Sequence, residues 1–175
     1  ALIEWEPNLF YLAALIIGRD QSIEILDVSD SQQIKMVESI SLLDIKSHRK
    51  INFITGRFSD KIIGEQILIS QGKTSIIIGK NFYDQKDGDD VIIRLFGNET
   101  DLNKDNLTDF FGLMNNGNIA SNIWDKPVML YGEAVHYMWQ SEDEIIVLRK
   151  NGDIQKYYIN ALSSSLTKVL EIDNF

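Results

Sequence analysis

The sequence predicts an all-β fold, and three features do the predicting. Apolar residues alternate with polar ones in short runs such as Ser22-Ile23-Glu24-Ile25-Leu26, the two-residue period of a half-buried strand. Turn residues separate these runs, among them Gln71-Gly72-Lys73 and Asn151-Gly152-Asp153, where Asn and Gly accept the positive φ that tight hairpins need. The opening and closing stretches also share one layout, described below. A β-sandwich and an α+β domain are the alternative architectures.

In order along the chain, Leu2, Ile3 and Trp5 form a short apolar strand that turns at Pro7-Asn8. Leu9 to Ile17 is a longer apolar strand, broken at Gly18-Arg19-Asp20-Gln21, and Ser22 to Val28 is a half-exposed strand. A polar loop from Ser29 to Gln33 follows. Ile34 to Ile45 fits either a helical face or a strand, and a strand is preferred. After the polar turn Ser47-His48-Arg49-Lys50, Ile51 to Thr55 is a strand closed by Gly56-Arg57. Gln66 to Ser70 and Thr74 to Ile78 form a hairpin, Asp84 to Asp90 a charged tip around Asp87-Gly88, and Val91 to Phe96 a further strand.

Residues 98–124 read differently. This stretch is rich in Asn and Asp and is expected to be an insertion with one short helix, capped by Asp105 or Asn106, running through Met114 and stopped at Asn115-Asn116-Gly117. Trp124-Asp125-Lys126-Pro127 then leads into Val128 to Tyr131 and Gly132. Val135 to Trp139, Glu144 to Arg149, Ile154 to Ile159 and Leu162 to Ile172 are the closing strands.

Composition bounds the function. With 175 residues, 44% hydrophobic and 25% charged, the chain has the make-up of a folded globular protein, expected as one β-rich domain or part of a larger assembly of sheets. A net charge of −9 argues against nucleic acid as a partner, because phosphate recognition needs clustered Lys and Arg, and His48-Arg49-Lys50 is the one compact basic cluster. There is no cysteine, which removes disulfides and thiolate chemistry and leads to an intracellular expectation, cytoplasm or nucleus undistinguished. No apolar run approaches the ~18 residues of a membrane span.

The motifs that imitate chemistry fail on context. Gln71-Gly72-Lys73-Thr74-Ser75 resembles the end of a phosphate-binding loop, but the first glycine would fall at Ile67 and Ile76-Ile77-Ile78 follows where a helix is required. Asp84, Asp87, Asp89 and Asp90 offer hard oxygen ligands, yet counting back from Gly88 puts Tyr83 at the first position of a calcium loop. His48 and His136 lack an acidic partner at a diagnostic spacing, and Glu142-Asp143-Glu144 reads as a solvated turn. No enzyme activity, cofactor or metal is therefore expected. The residues picked out for partner binding are Phe110 and Phe111 in the insertion, Trp124 and Asp125 beside the loop proline, and Tyr131.

The shared layout carries a resemblance. At the start, Trp5 is followed by a polar turn, an apolar strand, a turn and Ser22-Ile23-Glu24-Ile25-Leu26; at the end, Trp139 is followed by the same order and Asp153-Ile154-Gln155-Lys156-Tyr157. The tryptophans stand 134 positions apart, close to three units of about 45 residues. On these residues the chain resembles a diverged WD40-type β-propeller, over Leu2 to Asp30 and Val135 to Asn160, about a third of its length. The Gly-His pair of that family is absent. Its Trp-Asp dipeptide occurs only as Trp124-Asp125 next to Pro127, and Ile25-Leu26-Asp27-Val28 is the nearest match to a closing strand, with Leu in place of Trp. The resemblance implies propeller-like antiparallel sheets and a non-enzymatic protein-interaction or scaffold role. About four blades fit in this length, so a protein partner, or more chain, would supply the missing blades. The alternative role is a self-contained acidic inhibitor, immunity-like, that binds a basic enzyme.

Overall fold

Strand pairing follows the turn chemistry. In the computed structural model, which describes residues 1–16, 21–30, 32–42, 51–88, 90–98, 101–122, 128–130, 135–141, 143–160 and 165–173, four antiparallel sheets of four strands each run in chain order. The fold is all-β, with no helix among the described residues. The chain divides into two compact units, Ala1–Asp87 and Gly88–Phe175, each holding two of the sheets.

In the first unit, one sheet is β1 (Leu2–Glu6), β2 (Leu9–Ile16), β3 (Ser22–Asp27) and β4 (Lys35–Ser41). The other is β5 (Asn52–Gly56), β6 (Gln66–Gln71), β7 (Thr74–Gly79) and β8 (Phe82–Asp87). Alternate side chains point to one face of a strand, so Ile3 and Trp5 of β1, Ile23 and Ile25 of β3, Ile67 and Ile69 of β6, and Ile76 and Ile78 of β7 meet in one apolar core. Burying each such side chain contributes roughly 1.5–3 kcal/mol. Trp5 is buried with its indole N–H donating to Glu38 Oε2 of β4 at 3.0 Å, which satisfies the one polar atom that burial would otherwise strand. The two sheets are tied by backbone and side chain: Glu65 N donates to Glu4 O at 2.8 Å, and Glu4 N to Glu65 Oε2 at 2.7 Å. The approach needs Gly64, whose φ is +99° and where an added Cβ would lie 3.0 Å from the Glu4 carbonyl oxygen.

The second unit repeats the plan. β9 (Ile92–Asn98), β10 (Asp109–Met114), β11 (Asn118–Ser121) and β12 (Val128–Met129) form one sheet; β13 (Val135–Ser141), β14 (Glu144–Arg149), β15 (Ile154–Asn160) and β16 (Ser165–Ile172) form the other. Phe111 and Leu113 of β10, Ile119 of β11, Ile145 and Val147 of β14, and Tyr157 and Ile159 of β15 make its core. The second sheet carries a polar network of buried side chains that ends at an exposed one: Arg149 Nε donates to Gln155 Oε1 at 2.8 Å, Arg149 Nη2 to Tyr157 Oη at 3.0 Å, and Gln155 Nε2 to the exposed Glu171. This network fixes the register of β14, β15 and β16.

Within Ile34 to Ile45, Lys35–Ser41 is strand β4, as preferred, while 43–45 lie outside the described residues, and Trp5 and Trp139 both lie on the first strand of a sheet. The hairpins at Gly72 and Gly152 stand where their turns placed them, with φ of +62° and +97°. Two expectations are corrected. The charged tip from Asp84 is the second half of β8, because every residue from Phe82 to Asp87 pairs with β7 and one-sided pairing leaves polar side chains in solvent. The short helix expected from Asp105 or Asn106 through Met114 is absent. Asp109–Met114 is strand β10, paired with β9 on one side and β11 on the other, while Lys104 and Asn106 have φ of +62° and +63°, which a right-handed helix does not accept. Within residues 98–124, strand β10 stands where the helix was expected and β11 follows its expected stop.

Candidate functional site

Of the residues picked from sequence, Phe110 and Phe111 lie among the described residues. Phe111 has no exposed surface and belongs to the second unit's core, so it cannot touch a partner; the alternation of β10 turns it inward. Phe110 beside it is half-buried, with its backbone N–H donating to Asn122 Oδ1 at 2.8 Å. Trp124, Asp125 and Tyr131 lie outside the described residues. The Asp84 and Asp87 side chains stand on β8, where Asp87 Oδ1 accepts from Thr74 Oγ1 at 2.8 Å; Asp89 lies outside the described residues.

Two other places have the form of sites. The first is a groove of about 390 Å³ at the β1–β2 hairpin of the first unit, lined by Leu2, Asn8, Leu9, Phe10, Asp27 and Val28 among others. Asn8 makes the tight turn with φ of +62°, and its N–H donates to Glu4 Oε1 at 2.6 Å. That turn presents Leu2, Leu9 and Phe10 outward, at 62%, 52% and 58% exposure, more than isolated surface apolar residues explain. Asp27 stands at the rim. The Ser29 N–H donates to its Oδ1 at 2.9 Å, and this bond holds its carboxyl below the usual range, so the rim is anionic.

The second place is the loop between β9 and β10 in the second unit. One carboxylate oxygen from each of Asp101, Asp105 and Asp109 lies within 4.8 Å of the others. Asp101 folds the loop by accepting from Asp105 N (3.1 Å) and Asn106 N (2.8 Å), and Asp105 Oδ1 accepts from Leu107 N at 2.8 Å. Asp109, the first residue of β10, is fully buried. Its Oδ2 accepts from Leu102 N at 2.6 Å, and its Oδ1 has no hydrogen-bond partner among the described residues. Burial pushes this carboxyl up to about 6; Asp105 and Asp101 push the same way, while the Leu102 amide opposes.

Neither the known protein-family models nor the curated proteins match this chain. Among the described residues, no helix is long and apolar enough to cross a membrane.

Sequence reasoning passed over both places. The groove has no motif, since Leu9 and Phe10 read as the start of a buried strand. The acidic loop has one, the spacing Asp101, Asn103, Asp105, Asp109, which was absorbed into a helix cap because Asp and Asn serve both purposes.

Proposed function

We propose that this chain is a non-enzymatic protein-interaction module, a scaffold subunit of an intracellular complex built from blade-like four-stranded sheets. The observation that carries this reading is the groove at the β1–β2 hairpin, with three exposed apolar side chains at its centre and Asn8 and Asp27 at its edge. An apolar centre with a polar rim is the anatomy of an interface, and a phenylalanine is a suitable anchor because it buries large area for little lost rotamer freedom. The net charge of −9 and the ionised Asp27 select a partner whose apolar knob is ringed by Lys or Arg. Four meanders in chain order support the blade reading. The acidic surface also suits the second reading, a self-contained inhibitor of a basic enzyme.

Photo-crosslinking tests it. p-Benzoylphenylalanine placed at position 10 in cells should give one discrete heavier adduct, which is lost when Leu9→Ser removes the adjoining apolar side chain. The same probe at position 83, exposed on β8, should not give it. Absence of an adduct at position 10, or the same set of adducts at both positions, sinks the interaction reading. An adduct with a basic enzyme that loses activity on binding selects the inhibitor.

A further inference from the structure

We infer that the loop from Asp101 to Asp109 is a calcium site, with the carboxylates of Asp101, Asp105 and Asp109 as ligands. Three carboxylate oxygens converge within 4.8 Å, and no salt bridge to Lys or Arg relieves any of the three among the described residues. Like charges held this close repel unless a cation lies between them.

The second observation concerns Asp109. Its side chain is fully buried at the start of β10, and its Oδ1 has no partner among the described residues. Buried polar atoms are paired in nearly every case, and an orphaned carboxylate oxygen calls for an explanation. A cation in the loop supplies the partner that the chain does not.

The order of residues identifies the ion. Calcium loops place oxygen ligands at positions 1, 3, 5 and 9 and a sharp turn at position 6. Counting Asp101 as the first, these positions are Asp101, Asn103, Asp105 and Asp109, and the sixth is Asn106 with φ of +63°. The same count failed at Asp84 to Asp90. All the side-chain donors are hard oxygens, which excludes the softer transition metals as preferred ions. A loop closed by its own side chains suits calcium, which accepts irregular geometry, over magnesium, which demands an octahedron and dehydrates reluctantly. The twelfth position is Gly112 within β10 rather than the bidentate glutamate of the helical motif. One ligand group is missing, so affinity falls toward the weak end of calcium loops, with Kd roughly 0.1–1 mM.

The other acidic group, Asp153, Glu171 and Asp173, lacks this character. Glu171 Oε2 is paired with Lys168 Nζ at 2.7 Å, and none of the three is buried. It serves as the control.

The experiment is calorimetric titration of calcium chloride into the full chain, stripped with EDTA and dialysed, with thermal unfolding at each calcium concentration. The expected result is saturable binding at one site and, at tenfold excess over Kd, a folding constant raised about tenfold. Magnesium gives a smaller response. Asp101→Asn with Asp105→Asn keeps one side-chain acceptor oxygen at each position and loses the binding heat and the stabilisation; Asp173→Asn keeps both. No saturable heat up to about 10 mM, well past the expected Kd, overturns the site, as does an undiminished response in the double variant. Should the double variant not fold, amide resonances of the unaltered chain decide: calcium shifts confined to 101–112 support the site, and shifts spread over the acidic surface overturn it.

Discussion

Gln66 and Asp109 show at single residues how this fold treats a buried polar group. Both have no exposed surface. The Gln66 amide is fully used: Oε1 accepts from Phe58 N and Ser59 N, each at 2.7 Å, and Nε2 donates to Gly64 O at 2.9 Å and Ser59 O at 3.3 Å. It thereby holds the loop between β5 and β6 against the sheet. Gln66→Leu preserves much of the volume and removes the side-chain acceptor that two amides of that loop use, so urea denaturation should show a loss of roughly 2–4 kcal/mol. A loss below about 0.5 kcal/mol, the range of an ordinary surface change, would mean that solvent reaches the loop. None of this was legible in the sequence. The partners are backbone groups two, seven and eight residues upstream, which leave no side-chain signature. Asp109 is the converse case, because its place in a ligand series at fixed spacing stands in the sequence, and only the competing helix-cap reading hid it.

At the scale of elements, local signals succeeded where both faces of a strand differ and failed where they do not. β3 and β15 alternate buried side chains with half-buried or exposed ones, and their hairpins carry turn residues. β10 is buried from Phe111 through Met114, so the two-residue period vanishes and the preceding Asp and Asn residues imitate a helix start. β8 failed for the opposite reason, being largely polar and, among the described residues, paired only with β7 at the edge of its sheet. Pairing partners decide such strands, and a partner is not local information. Side-chain deletion separates the two neighbours on β10. Phe111→Ala should cost about 3–5 kcal/mol in chemical denaturation by opening a cavity in the core, whereas Phe110→Ala should cost under about 1 kcal/mol. Equal costs would mean that β10 does not present alternate faces.

At the scale of the whole chain, each unit has its own core, and among the described residues none belongs to both. Ile3 through Ile78 supply the first and Phe111 through Ile159 the second. The groove belongs to the first unit and the acidic loop to the second. Apolar burial is the dominant stabilising contribution, so separate cores should open as separate cooperative units. Native-state hydrogen exchange on Phe111→Ala tests this. Amides of the β10–β11 and β14–β15 hairpins should exchange faster by a common factor, while those of the β2–β3 and β6–β7 hairpins keep the protection of the unaltered chain. Calcium should act on the same division with opposite sign, slowing exchange in the second unit and leaving the first unchanged, because a ligand stabilises only the unit whose native state binds it. Uniform acceleration by the substitution, or uniform slowing by calcium, would make the chain a single cooperative body, in which an ion bound at Asp109 also strengthens the hairpin that presents Leu9 and Phe10.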